Sequence, residues 1–262
     1  MMKNNIQSED MNPSQMSKKI IQEAIEKIKP DMDSLNQWYC QYSNGQKKRL
    51  SFDLDHLQHH VPIGSKILEI GSIPLILTTA MNQLGYKIQG VDISPERFQT
   101  AINVNKLDIL KHDIETEILN FESNNFDVVI FNEIFEHLRI NPIHTMNEML
   151  RVLKPGGILM LSTPNFMSLR NIKLLIQHNK CRADIYTEYF RLQEIGHMGH
   201  VRLYTTAEVS IFLQKIGFKT TKIIFRGSSD KISWKGVIEN RLFQVFPKLR
   251  PFFSLIAKKE GK

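Results

Sequence analysis

Between Lys66 and Phe225 short apolar runs alternate with segments of helical period, and that alternation restricts the fold more than any other feature of the chain. Lys66-Ile67-Leu68-Glu69-Ile70 reads as a strand, Leu75 to Leu84 as a helix closed by Gly85, and Lys87 to Val91 as a second strand followed by a helix over 95–103. Phe126-Asp127-Val128-Val129-Ile130-Phe131 reads as a buried strand. A helix over 141–153 follows, then Pro155-Gly156-Gly157 and the strand 158–162. Strand, helix, strand, helix in this order predicts an α/β fold whose parallel sheet is covered by helices on both faces. In such sheets ligands bind beyond the carboxyl ends of the strands.

On either side of this core the pattern is different. Residues 1–13 are polar and are expected to be disordered. Residues 14–29 place Ile20, Ile21, Ala24, Ile25 and Ile28 at helical spacing, and Pro30 stops that helix. A second helix is predicted over 47–60, and Pro62-Ile63-Gly64 marks a boundary. The reading is therefore an N-terminal extension with helices over 1–62, and a domain over 63–262. Within that domain the stretch 166–200 breaks the rhythm and reads as a lid-like segment. A helix over 206–216, a strand over 218–225 and a final strand over 252–257 complete the pattern.

Composition sets the class. The 262 residues are 42% hydrophobic and 23% charged, which suits an ordinary globular chain. Two cysteines, Cys40 and Cys181, have no metal-ligand spacing, and the start of the chain has no apolar signal core. Together these predict a reduced, cytoplasmic protein. The net charge of +7 is scattered over Lys47 to Arg49, Arg170 to Lys180 and Arg241 to Lys262. No block is dense enough to diagnose nucleic acid, so none is expected as a partner. In the tail, phenylalanines interleaved with Lys and Arg also suit peripheral contact with a membrane, whereas a final strand over 252–257 would make them core. The sequence does not specify an oligomeric state.

Three strand ends carry the chemistry. Ile67-Leu68-Glu69-Ile70-Gly71-Ser72-Ile73-Pro74 ends a buried strand in an acid and a glycine that permits a sharp turn, with Pro74 suited to the first turn of the next helix. The three-glycine dinucleotide fingerprint is absent, because Ile73 and Ile76 occupy two of its glycine positions. No phosphate-binding Lys-Ser/Thr follows either, which suits a nucleoside cofactor without phosphates. In Gly90-Val91-Asp92-Ile93-Ser94-Pro95 the carboxylate of Asp92 is placed to accept from ribose hydroxyls, and Ser94 to cap the following helix. In His112-Asp113-Ile114 the acid can bond an exocyclic amine, while Ile114 can lie on a purine ring.

Taken together, ILEIG, GVDIS, HDI, FDVVIFNEIFEHL and LRVLKPGGILMLSTPN resemble the Rossmann-like S-adenosylmethionine (SAM)-dependent methyltransferase family, from about Lys66 to Ser162. The resemblance implies a doubly wound, seven-stranded sheet, mostly parallel with an antiparallel last strand. It places Glu69, Gly71, Asp92 and Asp113 around SAM, with Asn132 near the methionine part. Ser72, Ile93 and Ile114 complete the expected cofactor set. The family usually has a second small glycine after Gly71, where this chain has Ser72-Ile73-Pro74.

The acceptor side rests on Asn132-Glu133-Ile134-Phe135-Glu136-His137 and on Gly196-His197-Met198-Gly199-His200. A helical turn would set Glu133, Glu136 and His137 on one face. Histidine ordinarily titrates near neutrality, so His137, His197 or His200 is the expected base for a hydroxyl, with Glu133 beside it. The stretches EIGSIPLILTTAMNQLGY, HVRLYTTAEVSIFLQKIGF and FPKLRPFFSLIAKK resemble methyltransferases of bacterial glycan pathways, which implies a sugar, glycan or other small-molecule hydroxyl as acceptor. Glu133, Glu136, His137 and a later histidine also resemble the ligand set of metal-dependent small-RNA 2′-O-methyltransferases. A non-catalytic SAM-binding module is a third reading. The expectation is catalysis without a metal, with one glutamate paired to an arginine such as Arg139 or Arg202.

Overall fold

The structure, a computed structural model, describes residues 5–9, 11–180, 184–195, 199–229 and 234–260. In chain order the elements begin with β1 (Asn5–Glu9), α1 (Gln15–Lys27), α2 (Asn36–His60), β2 (Lys66–Ile70), α3 (Ile76–Gln83) and β3 (Lys87–Asp92). They continue with α4 (Gln99–Val104), β4 (Asp108–Lys111), β5 (Phe126–Asn132), α5 (Pro142–Val152) and β6 (Leu153–Pro164). The last are α6 (Leu169–His178), α7 (Ile185–Ile195), α8 (Thr206–Ile216), β7 (Phe218–Arg226), α9 (Trp234–Val245) and β8 (Phe252–Lys259). The strands form a Rossmann-like α/β sheet in the order β1-β7-β8-β6-β5-β2-β3-β4, with β8 antiparallel to β7.

The sheet has eight strands rather than the expected seven. Asn5–Glu9 is a strand parallel to β7, with Ile6 opposite Ile223 and Ser8 opposite Phe225. Its polar sequence gives little strand signal. What it adds is backbone pairing and one side-chain anchor, since Ser8 Oγ accepts a 2.8 Å hydrogen bond from Nε of the buried Arg250.

The chain divides into two compact units, one made of Met11–Ile130 with Arg151–Ile158 and the other of Met1–Asp10, Phe131–Leu150 and Leu159–Lys262. In the first, β2, β3 and β4 run parallel and β2 buries Ile67, Leu68, Glu69 and Ile70. A strand sunk on both faces reads as a near-continuous apolar run, and β5 follows the same rule. The helix α1 buries Ile20, Ile21 and Ala24, each large aliphatic contributing roughly 1.5–3 kcal/mol. Its cap Ser14 and the neighbouring Ser17 both donate to Asp55 of α2, at 2.7 and 2.5 Å. The helix α2 begins at Asn36, earlier than the predicted Lys47, because Tyr39 gives the first turns a core contact and donates to Ile25 O at 2.9 Å.

In the second unit, β7 and β8 pair antiparallel and set the buried Phe225 opposite Phe253 and Ile223 opposite Leu255. Phe243 and Phe253 of the basic tail are thus buried, while Phe246 is exposed. The stretch expected to be irregular holds two helices. Ser168 caps α6 by accepting from Asn171 N, and Asn179 ends that helix in the left-handed region at φ 50°. Thr205 caps α8 in a reciprocal capping box with Glu208. Among the described residues no helix is long and apolar enough to cross a membrane.

Candidate active site

In the first unit the cofactor motifs gather around two buried carboxylates. Gly71 turns the chain after β2 at φ +69°, and the N–H groups of Gly71 and Ser72 both reach Val91 O, at 2.8 and 3.2 Å. This draws Ser72 against β3, where Gly90 makes room. A Cβ on Gly90 would lie 2.9 Å from Ser72 Oγ and 2.6 Å from Ile109 Cδ1. Asp92 ends β3, nearly buried, with Oδ2 accepting from Ile73 N at 3.1 Å and Oδ1 from Ser94 N at 2.9 Å. Arg97 Nη2 lies 3.5 Å from Oδ1. Burial raises the Asp92 pKa, against the lowering by the two N–H groups and Arg97.

Two local expectations fail here. The side chain of Ser94 makes no cap, and its N–H is held by Asp92. Pro74 lies outside α3, which starts at Ile76 after Leu75 takes a left-handed conformation at φ 67°.

Glu69 is tied to the helix that follows the turn. It is buried, accepts from Thr78 Oγ1 at 2.5 Å, and burial pushes its pKa up to about 8. Arg49 of α2, unnoticed in the sequence, exerts an opposing pull on Glu69. This buried guanidinium donates to Asp53 Oδ2 at 3.2 Å, Gln46 Oε1 at 2.7 Å and Tyr42 Oη at 3.1 Å. Its only sequence signal was a charge inside a helical apolar period. Asp113 is half-buried in a turn where Oδ1 accepts from Glu115 N at 3.0 Å. Ile114 beside it is half-buried, and Ile93 is exposed directly after Asp92.

These residues fit a nucleoside cofactor. Ser72 Oγ is buried without a hydrogen-bond partner among the described residues, so the turn holds an unmatched polar group. The Asp92 carboxylate is fixed by two N–H groups yet retains acceptor capacity on both oxygens. Ile93 offers an apolar surface beside it.

In the second unit the acceptor motifs separate into two sets. Asn132 closes β5, half-buried. Glu133 follows at φ 56°, an uncommon conformation for a residue with a side chain. Its Oε1 accepts from Ser162 Oγ at 2.8 Å and from Arg226 Nη2 at 3.2 Å. Arg226 is fully buried at the end of β7, so a glutamate is paired with an arginine as expected, though not with Arg139 or Arg202. Arg202 instead meets Glu208 at 2.7 Å. Glu133, Glu136 and His137 do not share a helical face, because only Phe135–His137 form a short 3-10 turn.

The other set is Glu136, His137 and His200. Glu136 is fully buried, and its Oε2 accepts from Thr163 Oγ1 at 2.9 Å. Its Oε1 lies 3.9 Å from both His137 Nε2 and His200 Nε2. The two rings meet edge to face with centroids 5.2 Å apart. One potential ligand atom from each of the three residues falls within 4.8 Å of the others. Backbone bonds draw the second histidine in: Val201 N donates to Glu136 O at 2.9 Å, and His137 Nδ1 lies 3.2 Å from Gly199 O. At Gly199 the Glu188 carboxylate occupies the place a Cβ would take. His197 lies outside the described residues. Nothing in the pattern of residues points to Arg226 or Thr163, which reach the site from β7 and β6.

Residues 18–223 match the methyltransferase domain family. The chain is 30% identical over 168 residues to a ubiquinone biosynthesis O-methyltransferase of Psychrobacter arcticus, covering 62% of each chain. It is also 30% identical over 180 residues to the Azoarcus sp. (strain BH72) protein of that name, covering 65% of this chain and 71% of the other. With the first of these relatives it shares about three-fifths of the relative's length, and with some others about half. Its fold matches that of a SAM-dependent methyltransferase of Archaeoglobus fulgidus at a TM-score of 0.58, with 16% identity, covering 85% of this chain and all of the other. A family match over this much of the sequence decides the class: the chain belongs to the methyltransferase domain family. SAM is the cofactor that this membership and fold imply.

Proposed function

We propose that the protein transfers a methyl group from SAM to a hydroxyl oxygen of a small molecule. SAM supplies an electrophilic methyl on a sulfonium sulfur. The observation that carries the reading is the pair of histidine Nε2 atoms, each 3.9 Å from the buried Oε1 of Glu136. A hydroxyl is a weak nucleophile until its proton leaves, and an imidazole held by a carboxylate is suited to take it. His137 or His200 accepts that proton at Nε2, and Glu136 stabilises the imidazolium formed. Glu133 is left to fix the end of β5 through Ser162 and Arg226. On the cofactor side Asp92 holds the ribose and Ser72 Oγ finds its missing partner.

The names of the relatives favour O-methylation in ubiquinone biosynthesis and not a glycan. The acceptor we propose is accordingly a hydroxyl on a small ring compound, in place of the sugar or glycan expected from the sequence. The test is release of the demethylated cofactor from SAM, offered phenolic and catecholic compounds beside free sugars. Turnover with a ring hydroxyl supports the reading, and turnover with sugars alone overturns the choice of acceptor.

A second reading has its own observation. Glu136, His137 and His200 offer one carboxylate and two imidazoles in a compact set that could hold a divalent ion. Glu133 is diverted to Arg226, which leaves three ligands among the described residues. A metal there would polarise the acceptor oxygen and lower the need for a base. Elemental analysis with turnover in EDTA separates the two. Stoichiometric metal and chelator-sensitive turnover select the metal, and full turnover in EDTA selects the histidine base.

A further inference from the structure

The helices α6 and α9 carry an exposed apolar and basic surface that the methyl-transfer chemistry does not use. On α9, Trp234, Val237, Ile238 and Val245 are 55–70% exposed. Together with Arg241 they fall at helical spacing and form one stripe, while Gly236 and Phe243 on the other side are buried. Phe246 continues the stripe past the helix end, and on α6 Leu175 and Ile176 are exposed. Lys173 of α6 meets Glu239 of α9 at 3.0 Å, which ties the two helices together at one point. Scattered exposed apolar residues are ordinary, but a contiguous stripe of this kind marks a contact surface.

The charges identify the occupant. Arg170, Lys180, Lys235, Arg241 and Lys248 are exposed on or next to the two helices. Glu239 is the one acid in either helix, and it is already taken by Lys173 and by Ser229 Oγ at 2.6 Å. A second copy of the chain, docked through the same patch about a twofold axis, would set these cations against their equals. We propose that the α6–α9 face docks on an anionic lipid bilayer, with the Trp234–Val245 stripe at the acyl boundary and the cations among the headgroups. Interfacial segments are built in this way, with aromatic and aliphatic residues on one side and Lys and Arg at the rim. For the tail from Arg241 to Lys262 the sequence offered both a membrane contact and a core strand, and its β8 part is core. The inference stands on this surface and not on the identity of the acceptor.

The test is co-sedimentation of the full chain, at low salt, with vesicles of phosphatidylcholine alone or mixed with phosphatidylglycerol. Binding to the mixed vesicles that falls as salt rises is expected, with little binding to phosphatidylcholine alone. The double variant Lys235→Glu/Arg241→Glu should weaken binding by tenfold or more, since each cation near such a surface is worth about fivefold. Val237→Glu/Ile238→Glu should weaken it as well. SAM affinity and melting temperature should stay at wild-type values in the charge variant, which reports on the surface even where the apolar variant fails to fold. In a Trp38→Phe background, Trp234 emission should shift to the blue on mixed vesicles. Absence of binding at low salt, equal binding to both vesicle types, or wild-type binding by the charge variant overturns the proposal.

Discussion

The ends of β2 and β3 and the cluster around Glu136 both bury carboxylates, and they hold them in different ways. Asp92 is held within one β-α-β segment, by the N–H of Ser94 two residues on and by that of Ile73 on the far side of α3. Glu136 draws on distant chain: Thr163 from β6, and His200 from a segment beyond two helices. In the first region the chain geometry itself positions the acid, through the positive φ of Gly71 and the close approach that Gly90 allows. In the second, position depends on tertiary contacts around residues 199–202. A local device suits a site that must bind one constant cofactor. A device assembled from several strand ends can be altered piece by piece, and acceptor choice varies in that way within one fold.

Three changes would break or sharpen this contrast, and the largest effect belongs to the assembled cluster. His137→Ala or His200→Ala should lower kcat by about 10²–10⁴, the usual worth of a positioned base, with SAM affinity unchanged. Full turnover in both variants would remove the histidines from the chemistry. Gly90→Ala acts on the local device, since its Cβ would press on Ser72 and Ile109. Overpacking of this kind costs about 1–3 kcal/mol and should lower the melting temperature by several degrees, with weaker SAM binding as a companion. A wild-type melting curve would show that β3 yields freely at this point.

The smallest effect concerns pH. Burial lifts Glu69 to a pKa of about 8, above its ordinary value of 4.5. Between those values the folded state keeps a proton that the unfolded chain has released. The associated stability is therefore fully present below about 4.5 and declines as pH rises through 8. Glu69→Gln should flatten the fall in melting temperature between about pH 5 and 8, followed by calorimetry at about one-unit steps. An unchanged slope would show that Glu69 is already ionised in the fold.

How much was legible follows from the same contrast. The strands β2, β3, β5 and β6 announce themselves by apolar runs, three of which lead into Gly71, Asp92 and Asn132, whereas the short β4, Asp-Ile-Leu-Lys, does not. The β1 strand was not legible, because Asn-Ile-Gln-Ser-Glu has one apolar side chain and its place depends on backbone pairing with β7. The expected helical face of Glu133, Glu136 and His137 failed because Glu133 takes a positive φ and turns to Arg226, 93 residues away in sequence. Helical spacing describes neighbours on a helix and carries no information about a strand end. Arg49 and Arg226 were missed for a related reason. A buried arginine looks like any surface arginine until its partners are placed around it.

The central claim is that the local device holds SAM through Asp92. Titration calorimetry of SAM into the wild-type chain and into Asp92→Ala tests it most directly. The account predicts one site per chain in the wild type. In the variant it predicts affinity lower by about 10–100-fold, the worth of hydrogen bonds to a charged acceptor. No SAM binding by the wild type, or equal affinity in the two proteins, would contradict it.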